Sequence, residues 1–474
     1  VSSTPGTDGL LTTAAIGLDQ VPESLRELCR HLRRAGKRSW IVGGCVRDLL
    51  RGMAPADWDL ATDALPHELM RLLPKAIPTG IDHGTVTAIF QGHHYEVTTL
   101  RGEGAYSDGR RPDHVEFTSD LTRDLARRDF TVNAIALDPI DGHVIDPFDG
   151  RGDLAQRVIR AVGDAEARFA EDGLRVLRGA RFVASLEAEL APDTERAMGS
   201  HRAVATLRKV SAERVRDEWF KSMKTRRPSR AFEVMKRTGL LAVVCPELLP
   251  MVGCEQNKHH AFDVWGHSLA TVDACPPQPL LRVAALVHDI GKPASRAFSD
   301  KTNDYTFYEH ERIGAELVGP VLERLRFSND ERATIASLVR HHLLCYDDSW
   351  TDAAVRRWLR RVTPELAPML YELGLADARG KGLDASESEQ QVEKLRARAN
   401  AILSAGDALS PRDLAVNGAD LMRELDLRPG RLIGELLAAL VEVVTDDPQK
   451  NERAALLDAA RVALAGRSQP GGSA

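Results

Sequence analysis

Two carboxylates one residue apart, Asp57 and Asp59, follow a glycine pair, Gly43-Gly44, and a nearby Arg47. In an extended chain, side chains i and i+2 share a face, so the two aspartates project together, with Trp58 and Leu60 on the other side. Carboxylates forced side by side repel, and a divalent cation relieves them. A few hard oxygen ligands suit Mg²⁺ shared with substrate phosphates. The apolar run Trp40-Ile41-Val42 reads as a strand. The glycines after it let backbone approach a phosphate closely where a helix begins. Joined to twin carboxylates, such a turn points to a nucleoside triphosphate site with two-metal chemistry. Taken singly, a Gly-Gly is an ordinary turn and an Asp-x-Asp an ordinary surface.

The elements that must position these residues follow from length and pattern. A chain of 474 residues is too long for one core and suggests about three domains. With 43% apolar and 28% charged residues it reads as a soluble globular protein, and no run approaches the ~18 apolar residues of a membrane span. No signal peptide is expected. Cys29, Cys45, Cys245, Cys254, Cys275 and Cys345 form no C-x-x-C pair and are expected to be reduced, buried thiols of a cytoplasmic protein. Residues 1–20 read as a loose extension. An amphipathic helix through Leu25, Leu28 and Leu32 leads to the strand before Gly43. Strand runs follow at Val86–Phe90, Tyr95–Thr99, His114–Phe117 and Ala134–Leu137, with 103–113 a loop, and the pattern turns helical after Asp164. Net charge is −6, so a polyanion needs a local basic tract; residues 201–240 supply one, with twelve Lys/Arg against four Asp/Glu. The tail, Arg467–Ala474, reads as disordered.

The string GGCVRDLLRGMAPADWDLAT, residues 43–62, resembles the polymerase-beta nucleotidyltransferase superfamily and, within it, the class II tRNA nucleotidyltransferase and bacterial poly(A) polymerase family. That resemblance implies a third carboxylate, Glu96, in a Glu-x-Thr-Thr-x-Arg segment. Arg127-Arg128-Asp129-Phe130-Thr131-Val132-Asn133 resembles the family's motif for the ribose and triphosphate of the incoming nucleotide. Arginine suits that task through its bidentate fork. Asp146–Leu154 resembles a hinge between head and neck. Glu171-Asp172-Gly173-Leu174-Arg175 is expected to begin a helix that continues through Arg178. Asp172 and Arg175 share a face of it, offering one acceptor and one donor. Adenine and cytosine both present an amino donor beside a ring-nitrogen acceptor, so one pair fits both. Guanine and uracil present the reverse and would leave buried groups unpaired, at roughly 1–3 kcal/mol each. An i,i+3 ion pair is the plainer alternative. Ser211–Val215 resembles the motif that braces the neck helices.

A second constellation lies downstream. His288-Asp289 follows the apolar run ending Leu286-Val287, with His267 before it and Asp377 after. This resembles the HD phosphohydrolase domain, whose metal is held by such a set. His310 and His341, of the pair His341-His342, stand where two-metal members have extra histidines. Imidazole and carboxylate together fit Mn, Ni, Fe or Zn, or Mg with more water, activating water against a phosphoester.

The resulting expectation is an α+β fold. It comprises a flexible extension (1–20), a polymerase-beta-like α/β nucleotidyltransferase head (21–160), an all-helical neck that reads the base and binds RNA (161–250), an HD domain (251–385) and a helical RNA-binding tail (386–474). The expected activity is CCA addition to tRNA from CTP and ATP, without a nucleic-acid template. Mg²⁺ would sit at the head and a divalent metal at the HD site, with no membrane partner and the oligomeric state open. Poly(A) synthesis by the same head, or an RNA-binding HD phosphohydrolase, are the alternatives.

Overall fold

The computed structural model describes residues 16–102 and 116–467. The chain divides into two compact units, Val1–Leu249 and Pro250–Ala474.

In the first unit, α1 (Glu23–Arg34) buries Leu25, Leu28 and Leu32 at helical spacing. It packs on a core shared with β1 (Ser39–Val42) and α2 (Gly44–Leu50). Then come β2 (Asp59–Thr62), α3 (Pro66–Leu72), β3 (Ala76–Gly80), β4 (Thr85–Phe90) and β5 (His93–Thr99). After α4 (Leu121–Ala126), β6 (Ala136–Leu137) and β7 (Val144–Ile145) complete one seven-stranded sheet of order β3-β4-β5-β2-β1-β6-β7. The β2–β5 pair is parallel and sets Asp59 opposite Glu96. A short α5 (Gly150–Ala155) and β8 (Val158–Ile159) lead to helices α6 (Ala165–Glu171) and α7 (Leu174–Leu186). β9 (Glu189–Leu190), α8 (Pro192–Met198), α9 (His201–Leu207), α10 (Ala212–Met223), α11 (Ser229–Arg237) and α12 (Leu241–Val244) finish the unit. Phe130, Phe169, Trp219 and Phe232 are its largest fully buried side chains besides leucine and isoleucine.

Among its described residues the second unit is helical apart from one hairpin. Its elements are α13 (Val264–Ala274), α14 (Pro279–Val287), α15 (Lys292–Ser295), β10 (Ala297–Ser299), β11 (Asp304–Thr306), α16 (His310–Arg324), α17 (Asn329–His341), α18 (Asp352–Val362) and α19 (Ala367–Gly380). α20 (Ser386–Ala405) packs on α18 and α19. A separate core joins α21 (Gly418–Glu424), α22 (Arg431–Asp446) and α23 (Arg453–Arg467) around Leu421, Leu436 and Leu440. No helix among the described residues is long and apolar enough to cross a membrane.

Several expectations change. Ile16 is buried in the head core and Leu18–Gln20 form a 3₁₀ turn, so the end of the expected loose extension is packed structure. Asp57 lies in a bend, and β2 begins only at Asp59. Of the strand expected at His114–Phe117, His114 and Val115 lie outside the described residues, and Phe117 makes a single bridge to Arg101. The loop expected at 103–113 and the tail beyond Arg467 also lie outside them. Within the segment resembling a hinge, the Asp146 carboxylate accepts from the Gly150 and Arg151 amides at 2.8 and 2.9 Å. Five cysteines are buried, but Cys345 is exposed.

Candidate active site and metal centre

The alternation expected around Asp57 and Asp59 is present: both are exposed, while Leu60 is buried and Trp58 packs on the core. Gly43 joins β1 to α2 at φ +82°, a conformation L side chains rarely adopt, and a Cβ there would lie 2.9 Å from the Arg128 guanidinium. A cleft of about 630 Å³ opens beside it, walled by Gly43, Gly44, Asp59, Glu96, Asp172 and Phe182. Eight arginines line this cleft, Arg47, Arg127, Arg128, Arg175, Arg178 and Arg181 among them.

Buried acids hold those arginines in place. Asp124 pairs with Arg127 at 2.8 Å and Arg128 at 3.3 Å. Arg178 Nε donates to Asp129 Oδ2 at 2.7 Å, Asn133 Nδ2 donates to Asp129 Oδ1 at 3.0 Å, and Arg47 Nη1 donates to Asn133 Oδ1 at 2.6 Å. Burial alone would raise the Asp129 carboxyl, but the Arg178 charge and these hydrogen bonds outweigh it and hold it far below the usual range. Asp129 therefore serves Arg178 and Asn133 directly. At Asp59 the balance is reversed: desolvation at the cleft wall raises its carboxyl, Arg128 opposes, and Asp57 adds to the rise. An anion destabilised in this way, beside a second carboxylate and opposite a third, is a donor set that a divalent cation suits.

The expected base reader is built differently from the expectation. Asp172 follows the last residue of α6, and α7 starts at Leu174, so the helix does not begin at Glu171. The break is at Asp172, whose backbone is extended, and the next residue must be glycine because a Cβ on Gly173 would lie 2.4 Å from the Thr206–Leu207 backbone. Asp172 and Arg175 do not pair with each other. Asp172 Oδ2 accepts from Arg214 Nη2 at 2.9 Å and Oδ1 from the Leu174 amide at 2.9 Å. Arg175 donates to Glu171 at 2.6 Å and to the carbonyls of Arg168 and Arg127 at 2.9 and 3.1 Å. Both line the cleft with a fixed orientation. Arg181 lies 4.1 Å over the Phe182 ring and donates to the buried Glu218 at 2.6 Å. Neither Arg181 nor Glu218 stands out in the sequence.

The basic tract at 201–240 is less bare than its local count suggests. Arg214, Arg226, Arg230 and Arg237 pair with Asp172, Glu187, Glu189 and Glu195, acids that precede the tract. Arg202, Arg208, Lys209 and Lys224 remain exposed.

In the second unit, His267, His288 and Asp377 converge, as do His288, Asp289 and His342, with ligand atoms within 4.8 Å of one another. Among the described residues no other trio of potential ligands does so, Asp57, Asp59 and Glu96 included. The Nε2 atoms of His267 and His288 face each other at 3.1 Å, and those of His310 and His342 at 3.2 Å. His288, His310 and His342 each turn Nδ1 to a backbone carbonyl, of Ala285, Phe307 and Val339, at 2.7–2.8 Å. A carbonyl only accepts, so each Nδ1 carries a proton and each ring turns its Nε2 inward. Asp289 Oδ1 and His267 Nδ1 are buried without a hydrogen-bond partner. Burial would neutralise Asp289, but His288 and Lys292 beside it hold it well below the usual carboxylate range. Imidazole nitrogens and carboxylates converging in a buried space are a donor set that a divalent cation suits.

His341 is not part of this cluster. It is half-buried, whereas His342 is buried and meets His310. The periodicity of α17 carries the signal: its buried positions Ile335, Leu338 and Val339 continue to 342 at helical spacing, and 341 falls off that face. A cavity of about 310 Å³ reaches Asp377 and His342 and is lined by Lys381.

Comparison with known proteins agrees with this division. Residues 39–160 match the "Poly A polymerase head domain", 189–251 the "Probable RNA and SrmB- binding site of polymerase A", and 312–460 the "tRNA nucleotidyltransferase domain 2". The CCA-adding enzyme of Lactobacillus johnsonii is 46% identical over 223 residues, a match spanning 47% of this chain and 55% of that relative. The chain thus spans about half the length of the first curated relatives it matches. The CCA-adding enzyme of Lactiplantibacillus plantarum is 31% identical over 94% of this chain and 98% of its own. The crystal structure of the Bacillus stearothermophilus CCA-adding enzyme in complex with CTP superimposes with a TM-score of 0.71 at 29% identity, covering 94% of this chain and 98% of that one. With its glycine turn, paired carboxylates and preset arginines, this chain belongs to the CCA-adding enzymes, a family of tRNA nucleotidyltransferases.

Proposed function

We propose that this protein adds C and A to tRNA 3′ ends from CTP and ATP, without a nucleic-acid template. The observation that carries the reading is one cleft holding both Asp59 with Glu96 and Asp172 with Arg175. Asp57, Asp59 and Glu96 are the residues that would hold Mg²⁺, which would supply a lowered pKa at the RNA 3′-hydroxyl and charge neutralisation at the leaving pyrophosphate. The arginines held by Asp124 and Asp129 receive the triphosphate without reorganising, so catalysis rests on alignment and preset charge. Arg214 and Glu171 fix the base reader in the same way: Asp172 offers the acceptor and Arg175 the donor that adenine and cytosine both satisfy. The exposed cations of the 201–240 tract are the RNA contacts of the neck. We assign 21–160 as head, 161–250 as neck, 251–385 as HD domain and 386–474 as tail, in an enzyme working in the cytoplasm.

The second unit supports a second reading, metal-dependent hydrolysis of a phosphoester. His267, His288, Asp289 and Asp377 would hold one divalent ion, and His310 and His342, with Asp289 between, a second. The metal there would supply an activated water. Lys381 presents a cation at the cavity beside Asp377.

The test is incubation with tRNA lacking its 3′ end and all four nucleotides, followed by sequencing of the product. Addition of C and A alone supports the reading, long A tracts on arbitrary RNA indicate poly(A) synthesis, and no addition overturns it. Release of phosphate from a small phosphomonoester by the Mn²⁺- or Ni²⁺-loaded protein tests the second unit.

A further inference from the structure

One cleft arginine, Arg128, stands beside a head carboxylate without pairing with it. Arg128 and Asp59 face the space that a side chain at 43 would fill: a Cβ on Gly43 would lie 2.9 Å from the Arg128 guanidinium and 3.9 Å from Asp59 Oδ2. The charge of Arg128 acts on Asp59 across that space. Yet among the described residues its ion-pair partner is Asp124, not Asp59. Asp124 is buried near the end of α4. Its Oδ1 is occupied, accepting from Arg127 Nε at 2.9 Å and from the Arg101 amide at 3.2 Å. Its Oδ2 is left to Arg128, whose Nη2 donates at 3.3 Å. Burial alone would raise the Asp124 carboxyl, but the charges of Arg127 and Arg128 hold it below the usual range.

The rest of the hold on Arg128 is slight. Its Nη1 reaches the Asn133 carbonyl at 3.5 Å, and its Nε is buried without a hydrogen-bond partner. Arg178, by contrast, donates to Asp129 at 2.7 Å. A guanidinium released by Asp124 meets Asp59, the carboxylate that faces the same space, and opposite charges attract there. That pair would do harm twice. It would occupy an oxygen set that a divalent cation needs, and it would take a cation from the wall that receives the triphosphate. We infer that Asp124 is a positioning residue that holds Arg128 off Asp59, keeping the carboxylate open to Mg²⁺ and the guanidinium open to the triphosphate. On the nucleotidyl-transfer reading above, on which this assignment rests, one arginine and the metal compete for one carboxylate, and Asp124 decides the competition.

Equilibrium dialysis of CTP at rising Mg²⁺, without RNA, reads the competition, and extension at rising Mg²⁺ reads its consequence. Asp124→Asn, which keeps the shape and removes the charge, is expected to raise the Mg²⁺ needed for half-maximal CTP binding about fivefold, the scale of one part-exposed ion pair. Saturating Mg²⁺ is expected to return its extension rate to within about threefold of the parent, a recovery that a misshapen cleft would not show. Adding Arg128→Gln to Asp124→Asn removes the competitor and is expected to bring the Mg²⁺ requirement back to within about twofold of the parent. Arg128→Gln alone is expected to weaken CTP binding about tenfold with the Mg²⁺ requirement held within about twofold. An unchanged Mg²⁺ requirement in Asp124→Asn, or a raised one that Arg128→Gln does not relieve, overturns the inference. So does a requirement lowered about fivefold by Arg128→Gln alone, because Arg128 would then already occupy Asp59 in the parent. That last arm leaves Asp124 in place and stands even where Asp124→Asn does not fold. If the parent protein neither binds CTP nor adds a nucleotide, the transfer reading itself has failed, an outcome distinct from these.

Discussion

The head places its carboxylates at the junction of open clefts and surrounds them with arginines, whereas the second unit closes histidines and aspartates around a buried point. In the head, Asp57, Asp59 and Glu96 do not gather as a trio, while the cations near them are pinned by Asp124 and Asp129. In the second unit it is the ligands that are pinned, three of the rings by backbone carbonyls. The difference separates two ways of using a metal. One site is ready for a polyanion that arrives with its cation; the other is ready for the cation itself. On the proposed reading, Mg²⁺ would be held loosely at the head and an ion retained in the second unit.

The largest effects break the two sites apart. Asp59→Asn is expected to lower nucleotide incorporation by about a thousandfold, on the scale of losing a preset electrostatic contact at the transition state. Phosphoester hydrolysis by the second unit should be unchanged, both followed on one preparation. Conversely, Asp289→Asn is expected to lower metal retention after dialysis by about a hundredfold or more and to spare nucleotide addition, with metal content read by elemental analysis. His342→Ala should lower that retention too, and His341→Ala should not.

Smaller effects sharpen the contrast inside the head. Asp172→Ala is expected to reduce the preference for CTP over UTP about tenfold to a hundredfold, since one buried hydrogen-bonding group is worth roughly 1–3 kcal/mol. Single-nucleotide incorporation measures it. Gly43→Ala should cost about 1–2 kcal/mol of stability, from its left-handed backbone, and displace Arg128, visible as a lowered Tm. The Asp129 carboxyl is held below its unfolded value, so the stability it contributes is full above about pH 4 and lost as pH falls from there through the folded pKa. Asp129→Asn should therefore flatten the acid limb of the stability profile.

Much of this was legible in the sequence where the signal is local. The apolar spacing of α1, the glycine turn, the alternation at Asp57–Leu60 and the His-Asp pair after an apolar helix all rest on neighbours within a turn or a strand. What was not legible depends on distant partners. The need for glycine at 173 exists because α9 approaches it, and the charge of the 201–240 tract is partly neutralised by acids upstream. Glu218 carries no local signal because its role is to hold Arg181, 37 residues away. The choice of His342 over His341 was readable in principle, since helical periodicity alone separates them.

On the proposed reading, Asp172 and Arg175, fixed in the cleft that also holds Asp59 and Glu96, select what is added to RNA. Sequencing the products formed on tRNA lacking its 3′ end, with all four nucleotides present in equal amounts, tests it most directly. Cytosine and adenine only are expected, with addition that stops after a few residues. Guanine or uracil incorporated at comparable frequency, or long unbroken A tracts, would contradict it.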